Sequence, residues 1–241
     1  TGQAVSSTST SYPGVAFGWM NDSVKLGYQL ARVCLSDAGG ERLWLAGFHH
    51  PGDTISSSCM KELVRAAEAQ AHVRPRRRTE LVQQRLEVQE ARVARVRRLL
   101  NQQEAQRNRL QQTRQRLLGE IYHTEQTLKN PISRPKRALW KKKMTGWRTR
   151  LPRLEAQIAT AQQRIGHHQD HLHEQIECLT RLLDWQATLE KDNLANPDPP
   201  PYIEARMDAG FSSGQNLTWL LEMGYCPNTK APNGQTATAL C

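Results

Sequence analysis

A repeat of alternating three- and four-residue spacing, sustained through most of residues 75–193, constrains this chain more than any other feature of its sequence. Nine of fourteen repeat positions from Val82 to Leu128 are apolar, as are nine of twelve from Leu151 to Leu189. The intervening positions are rich in Gln, Arg and Glu. This spacing places one apolar stripe along a helix, and the stripe must pack against a second helix. The region therefore predicts a coiled coil.

The two repeats are separated by the stretch NPISRPKRALWKKKMTGWRTRLP, residues 130–152, which holds three prolines and a glycine. Proline lacks the backbone N–H that a helix needs, and glycine is a poor helix former, so this stretch predicts a break. Two helices joined by a break can pair as an antiparallel hairpin. At 1.5 Å per residue, arms of about 45 residues would each reach roughly 65–70 Å.

The flanking regions have the sequence patterns of a globular domain. Residues 24–36 and 41–49 are strand candidates, and residues 56–72 combine capping serines with an apolar stripe, which predicts a helix. After the proline-rich linker ANPDPPP, the sequence predicts a strand at 202–207, a helix at 214–224 and a further strand in YCPNTKA, residues 225–231.

The simplest architecture is one α/β domain split by a helical insertion. Its parts would be residues 1–74, the coiled-coil hairpin 75–193, and residues 194–241. Because strand-like sequence patterns occur on both sides of the insertion, we expect Tyr202–Met207 to pair beside Val24–Leu35 in a single sheet.

The basic charge of the chain is concentrated at the expected tip of the hairpin. The formal net charge is +10, and residues 129–153 contain ten Lys and Arg and no acids, so they account for the whole excess. Bases on a projecting element are suited to phosphate contacts, which depend on charge and not on base sequence. The sequence predicts that the following residues contact DNA phosphates: Lys136, Arg137, Lys141, Lys142, Lys143, Arg148 and Arg150.

A plainer interpretation of this tip stays open. The same stretch could be a solvated loop in which Trp140 and Trp147 pack the end of the hairpin. The repeat positions that form the apolar stripe of each helix are called the seam below. In the plainer interpretation, the hairpin would serve to form a homodimer through this seam.

Other features exclude several classes of protein. Five cysteines without a CxxC pair indicate neither a zinc ribbon nor a disulfide framework, and we expect a reducing cytosol. No run of about 18 apolar residues predicts a membrane span, and no signal peptide is recognisable. Both ends of the chain look cut, so we expect a fragment. His167 and His171 have the i, i+4 spacing of a metal pair, but a third ligand is not evident.

Asp208 stands at the end of the predicted strand 202–207, just before a turn. Phosphodiester chemistry often uses two Mg²⁺ ions held by carboxylates at strand ends, where the metals activate the attacking oxygen and stabilise the leaving one. The alternative is that Asp208 only caps the turn. Asp53, after Gly52, is better explained as a helix cap than as a catalytic group.

Three segments together resemble the catalytic domain of DDE-type transposases from bacterial insertion sequences. They are TGQAV at the start, KLGYQLARVCLS with ERLWLAGFHHPGDT, and ARMDAGFSSGQNLTWLLEMGY. The resemblance covers about 100 residues, within 1–70 and 200–230. It implies a ribonuclease H-like sheet, here interrupted by the antiparallel coiled-coil hairpin. It also implies metal-dependent DNA strand cleavage and transfer during transposition, in the bacterial cytoplasm and in association with the nucleoid.

The resemblance assigns Asp208 to the second metal-binding Asp of the family. The first acid would lie just before Thr1 and the third after Cys241, while Glu222 is too close to Asp208 to be assigned. The implied cofactor is Mg²⁺, with Mn²⁺ as a substitute, and the implied partners are transposon ends and target DNA. With one acid of three, this chain alone should be inactive. The alternative function is a non-enzymatic coiled-coil DNA-binding or scaffold protein.

Overall fold

The computed structural model describes residues 2–5, 12–20, 23–36, 39–131 and 133–229. The chain divides into two compact units. The first, Thr1–Val82 with Trp185–Cys241, is called the sheet-bearing unit below, and the second, Gln83–Asp184, is called the hairpin unit. The elements in chain order are β1 (Gly2–Ala4), β2 (Ala16–Met20), β3 (Ser23–Ser36), β4 (Arg42–Pro51), α1 (Ser56–Ala71), α2 (Thr79–Lys129), α3 (Arg134–Leu194), β5 (Glu204–Met207), a 3₁₀ turn (Ala209–Phe211), α4 (Gly214–Glu222) and β6 (Cys226–Thr229).

The larger sheet is organised around the long strand β3, with which β1, β2 and β4 all pair antiparallel. Gly27 pairs with both Ala4 and Ala16, so β1 and β2 lie on opposite edges of β3. Tyr28 pairs with both Gln3 and Pro51, so β4 also lies opposite β1. Strands β2 and β4 therefore follow one another along the same edge of β3. Both predicted strands and the predicted helix of this half are confirmed as β3, β4 and α1.

Helix α1 covers one face of this sheet. Ala31 on β3 forms a buried cluster with Cys59 and Leu63 on α1, and Phe48 and Phe211 pack against its rim. The apolar residues of α1 recur every three or four positions, which is why one side of the helix is buried and the other is solvated. The fold is thus mixed α/β, as the sequence predicts.

The last strands form a sheet of their own. Strand β5 pairs with β6 in parallel, from Glu204 opposite Cys226 to Met207 opposite Thr229. The predicted strand, the helix after it and the next strand are confirmed, although residues 230–231 of the last lie outside the described residues. The pairing expected between Tyr202–Met207 and Val24–Leu35 is wrong. The partner of β5 is β6, which follows it through the short helix α4.

A buried ion-pair cluster joins four segments of the sheet-bearing unit. The guanidinium of Arg77 donates to both carboxylate oxygens of Glu68 at 2.8 and 2.7 Å, to Asp192 at 3.0 Å and to the carbonyl of Met223 at 3.0 Å. Burial would lower the pKa of Arg77, but its hydrogen bonds and ion pairs with Glu68 and Asp192 raise it above the ordinary value. Arg77 therefore stays charged while it is buried.

Tyr225 belongs to the same cluster and donates its hydroxyl proton to Glu68 at 2.7 Å. Burial, and then the negative charge of Glu68, raise the pKa of this phenol well above its ordinary value of 10.0. The side chain is consequently a protonated hydrogen-bond donor throughout the physiological range.

The hairpin unit confirms the predicted antiparallel helix pair. Gln89 of α2 donates to the Gln175 side chain of α3 at 3.0 Å, while Arg114 further along α2 donates to Glu155 at 3.0 Å. Partner numbers on α3 fall as those on α2 rise, which defines the antiparallel sense. All fourteen predicted seam positions from Val82 to Leu128 are buried or half-buried.

The predicted break at residues 130–152 is wrong in its extent. Helix α2 ends at Lys129 and α3 begins at Arg134, so most of the stretch is helical. Pro135 lies in the first turn of α3, where no intrahelical N–H bond is lost. Pro152 and Gly146 lie within the helix, and the packing of the seam around them outweighs their poor intrinsic propensity.

Candidate nucleic-acid interface

Residues 134–153 form the first five to six turns of α3, and they carry nine of the ten bases counted from residue 129. The side of this helical segment that packs in the hairpin continues the seam. Trp140, Met144, Trp147 and Leu151 are spaced by four, three and four residues, and all four are half-buried. Both tryptophans are therefore packing residues of the helix pair.

The seven predicted DNA-contacting bases are all solvent-exposed. At 3.6 residues per turn, Arg137, Lys141 and Arg148 fall on one flank of the seam. The bases Lys136, Lys143 and Arg150 fall on the other flank, and Lys142 points away from it. Positive charge thus surrounds the helix on every side except the packed one.

Few of these bases are neutralised within the protein. Arg148 pairs with Glu125 at 2.8 Å, and both side chains are largely exposed, so the pair contributes little to stability. The ammonium of Lys143 lies 4.9 Å from the centre of the Trp140 ring. Within the described ranges, the other five predicted bases make no ion pair with a carboxylate. Their charge is available to an external anion.

Sequence reasoning missed the helical state of this segment, although a signal for it existed. The three- and four-residue spacing that was counted from Leu151 continues upstream through Trp147, Met144 and Trp140. The three prolines and the glycine predict a break, but the seam packing that this periodicity describes outweighs them. A rigid helix fixes the mutual positions of the bases, which a loop would not do.

Asp208 immediately follows the last residue of β5, at the carboxyl end of the two-stranded parallel sheet, and it is exposed. Its carbonyl accepts a hydrogen bond from the backbone N–H of Phe211 at 3.0 Å, which closes the 3₁₀ turn. It also borders a cavity of about 660 Å³ in the sheet-bearing unit. Thr1, just before which the resemblance places the first acid, lies outside the described residues.

The part of the chain that the structure describes does not assemble a metal centre. No group of three or more His, Cys, Asp or Glu side chains capable of holding an ion occurs among the described residues. Asp208 alone is too few ligands for the Mg²⁺ or Mn²⁺ that the resemblance implies. Glu222 is buried and accepts a hydrogen bond from the Trp185 indole at 2.8 Å, which is a packing role.

The histidine pair also lacks further support as a metal site. His171 contacts Glu174 at 3.6 Å, and both side chains are substantially exposed. His168 is half-buried on the seam, where it packs between the helices. His167 and His171 are better explained as solvated positions of α3.

Comparison of the chain with protein-family models, with curated proteins and with solved structures finds no match. The likeness to transposases therefore stays a prediction from sequence motifs. Among the residues that the structure describes, no helix is both long enough and apolar enough to cross a membrane.

Proposed function

We propose that this chain binds DNA through the basic first turns of α3 and that it is part of a DDE-type transposase. The observation that carries the DNA-binding proposal is the distribution of charge. The whole formal excess of the chain lies in residues 129–153, and the seven candidate bases there are exposed on a rigid helix.

The arrangement favours contacts with the DNA backbone. Lys and Arg side chains on two flanks and on the outer side of one helix can contact phosphates of both DNA strands when the helix lies along a groove. Residues 134–153 contain no Asn or Gln for reading nucleotide bases, because their non-basic exposed residues are Thr, Ala, Leu, Gly and Pro. We therefore expect binding that depends on salt and only weakly on sequence.

The experiment replaces Lys141, Lys142 and Lys143 with Gln and measures the affinity for unrelated duplexes over a series of salt concentrations. If these side chains contact phosphates, all duplexes bind more weakly, and the log–log salt slope becomes shallower by up to about three units. The matched control replaces Arg95, Arg97 and Arg98, which are exposed bases of α2, with Gln.

The control removes the same net charge from a different part of the hairpin unit. A long-range effect of net charge would make both triple variants equally weak, and that result would refute the assignment to α3. An unchanged slope in the α3 variant would refute it as well. The hairpin would then be assigned to dimerisation through its seam.

The transposase assignment rests on the resemblance of ARMDAGFSSGQNLTWLLEMGY and on the exposed strand-end position of Asp208. This assignment includes a ribonuclease H-like fold for the sheet-bearing unit. The mixed α/β composition of that unit supports the α/β class to which such folds belong. Of the three acids that the resemblance implies, it assigns one within this sequence, Asp208.

The test of this second part uses a chain extended at both ends and the substitution Asp208→Asn. Cleavage that depends on Mg²⁺ or Mn²⁺ should be lost, while DNA affinity stays near that of the parent, because the bases of α3 are unchanged. Asp198→Asn, another exposed aspartate of the sheet-bearing unit, is the control and should retain cleavage. Full cleavage by the Asp208 variant would refute the assignment of Asp208 as a metal ligand, whereas a lack of cleavage by the extended parent chain would leave a non-enzymatic DNA-binding or scaffold protein as the function.

A further inference from the structure

The larger sheet has one face that helix α1 covers and one that α1 does not contact. Side chains alternate between the two faces along a strand, and directly opposed residues of paired strands share a face. Ala31 and Phe48 are opposed and pack with α1, so the even-numbered residues of β3 from Val24 to Arg32 lie on the other face. This second face is called the aromatic face below, after the residues that it carries: Phe17, Trp19, Tyr28, Arg32, Trp44 and His49.

The rings of the aromatic face follow β3 along its length. Phe17 and Trp19 stand on β2, beside the first part of β3. His49 stands on β4, beside the next part, and its ring meets the ring of Tyr28 edge-on with the centres 6.0 Å apart. Residues 24–32 of β3, along which these rings stand, span roughly 26 Å at about 3.3 Å per residue. The rings therefore form a row and not a single cluster.

Trp44 extends this row, and a glycine makes room for its ring. A β-carbon at Gly47 would lie 2.5 Å from Cζ2 of Trp44, so the absence of a side chain there lets the ring lie against the strand. Gly47 is opposite Arg32, whose guanidinium lies 5.9 Å from the centre of the Trp44 ring. Trp44 is nevertheless 53% exposed. One side of its ring is thus supported by the sheet, and the other side is accessible to a planar group.

The remaining large rings are also accessible. Trp19 is 68% exposed and Phe17 is 59% exposed, although both stand on a strand that is paired with β3. Contiguous exposed apolar surface of this kind marks a site of interaction with another molecule. The chemistry of the surrounding side chains indicates which molecule that is.

The charge of these strands favours an anionic partner. Strands β2, β3 and β4 contain no Asp or Glu. Arg32 is exposed on the aromatic face, and within the described ranges it makes no ion pair with a carboxylate. His49 adds an imidazole that carries positive charge when it is protonated. A second copy of this chain would bring the same cations against each other, so the charges disfavour self-association through this face.

We propose that the aromatic face binds single-stranded DNA, with nucleobases stacked on its rings and a phosphate held by Arg32. Sites for single strands combine rings that stack on nucleobases with cations that contact the backbone, and the open face of a sheet can present both. In a duplex the nucleobases are already stacked on one another, so this face selects unpaired strands. The choice of DNA rests on the DNA-binding function proposed above, to which the aromatic face adds a second surface.

The experiment compares two oligomers of equal length and charge, a thymidine strand of about 12 nucleotides and an abasic strand with the same sugar-phosphate backbone. The basic side chains of α3 contact phosphates and bind both oligomers alike, whereas the rings bind only the strand that has nucleobases. Each stacked nucleobase contributes at least about fivefold, so the parent protein should bind the thymidine strand at least about 25-fold more tightly. Replacing Trp19 and Trp44 together with Ala should lower this ratio at least about tenfold.

The matched control replaces Tyr122 and Tyr202 with Ala, which removes two rings that are 65% and 62% exposed but lie outside the aromatic face. This control should keep the parent's ratio. A parent ratio near one, or a ratio that the double Trp variant retains, would overturn the aromatic face as a DNA site. Replacing Lys141, Lys142 and Lys143 with Gln should weaken both oligomers and leave the ratio unchanged, so failure of the α3 assignment is seen separately.

A second measurement uses the unaltered protein. When 5-iodouracil replaces thymine in the strand, irradiation links it covalently to an aromatic ring on which it stacks, and peptide mapping should place the link at Trp19 or Trp44. Links confined to Trp140 and Trp147 of α3 would overturn the aromatic face as the stacking surface. A dimer that is detected by sedimentation and lost in the double Trp variant would overturn it too, because a second copy would then cover this face.

Discussion

The two units of this protein bury polar groups in different ways. In the hairpin unit, the neutral amide of Gln89 occupies a seam position and donates to the backbone and the side chain of Gln175 at 2.9 and 3.0 Å. In the sheet-bearing unit, the charged group of Arg77 is 1% exposed and bonds to Glu68, Asp192 and the Met223 carbonyl.

The difference concerns how far each contact reaches through the structure. A seam residue touches the facing layer and its neighbours in a helix pair, so damage to it stays local. Arg77 precedes α2 and holds α1, the end of α3 and the end of α4 at once. Removal of Arg77 takes a donor from two carboxylates and a carbonyl, and it leaves Glu68 with only the Tyr225 hydroxyl and Asp192 with only the more distant Arg74 among the partners that the structure describes. We therefore expect the stability of the hairpin unit to be spread over many seam contacts. In the sheet-bearing unit, we expect it to be concentrated in the Arg77 cluster.

The largest effect should come from Arg77→Met. Breaking a buried ion pair by removing one partner typically costs about 3–5 kcal/mol, because the remaining charges stay buried. Urea unfolding followed by the fluorescence of Trp185 and Trp219, which are stacked at 6.5 Å, reports on this unit. The matched control is Arg74→Met, since Arg74 is 30% exposed and lies 3.6 Å from Asp192. Equal losses in the two variants would contradict the concentrated model.

A somewhat smaller effect is expected from Ile165→Ala in the hairpin unit. Ile165 is 1% exposed at a seam position, and truncations of this kind cost about 2–5 kcal/mol. Hydrogen exchange should accelerate in the turns around residue 165 and stay unchanged in β3 and β4. Leu183→Ala, at a position that is 50% exposed, should change the stability by less than about 0.5 kcal/mol. Faster exchange throughout both units would show that the seam is not local.

The pH dependence of stability offers a third test. The pKa of Tyr225 is raised in the folded state, so above about pH 10 the unfolded chain releases a proton that the folded protein keeps. The contribution of Tyr225 is therefore complete below pH 10 and declines above it, by about 1.4 kcal/mol per pH unit for one proton. Urea unfolding between pH 8 and 11 should show a shallower decline for Tyr225→Phe. Tyr122→Phe, at an exposed position, serves as the control.

The smallest change in stability is expected when Gln89 and Gln175 are both replaced with Leu. Removing both partners of a buried hydrogen bond is close to neutral, within about 1 kcal/mol. The polar pair should instead specify the register of the helices, as a single buried amide does in other coiled coils. Cross-linking of cysteines placed at residues 114 and 155 should lose its selectivity in the double variant. Retained selectivity would restrict the pair to a packing role.

The same contrast separates what sequence could predict from what it could not. Seam burial depends on residues three and four apart, so positions such as Leu86 and Leu117 were predictable from spacing alone. The Arg77 cluster joins residues as much as 157 positions apart, and no local pattern marks them. Sheet partners pose the same problem. The residues of β5 predict a strand, but they do not specify that β6 is its neighbour.

The candidate interface shows both situations in one segment. Its charge can be counted directly from residues 129–153, whereas the distribution of bases around a helix depends on whether Pro135 and Pro152 interrupt that helix. Seam contacts determine the outcome, because packing along a long helix pair outweighs single unfavourable propensities. Asp208 was identified by its place after a strand, but the groups around it come from distant parts of the chain.

The side chain of Asn193 bonds to both backbone groups of Arg77, accepting from its N–H at 2.7 Å and donating to its C=O at 3.0 Å. The two residues between which the helical insertion begins and ends are thus tied together by one amide. This tie therefore does not constrain the length of the two helices. Adding or removing one heptad in each helix changes the hairpin by about 10 Å and leaves this tie in place. Related proteins could therefore carry longer or shorter hairpins on an unchanged base.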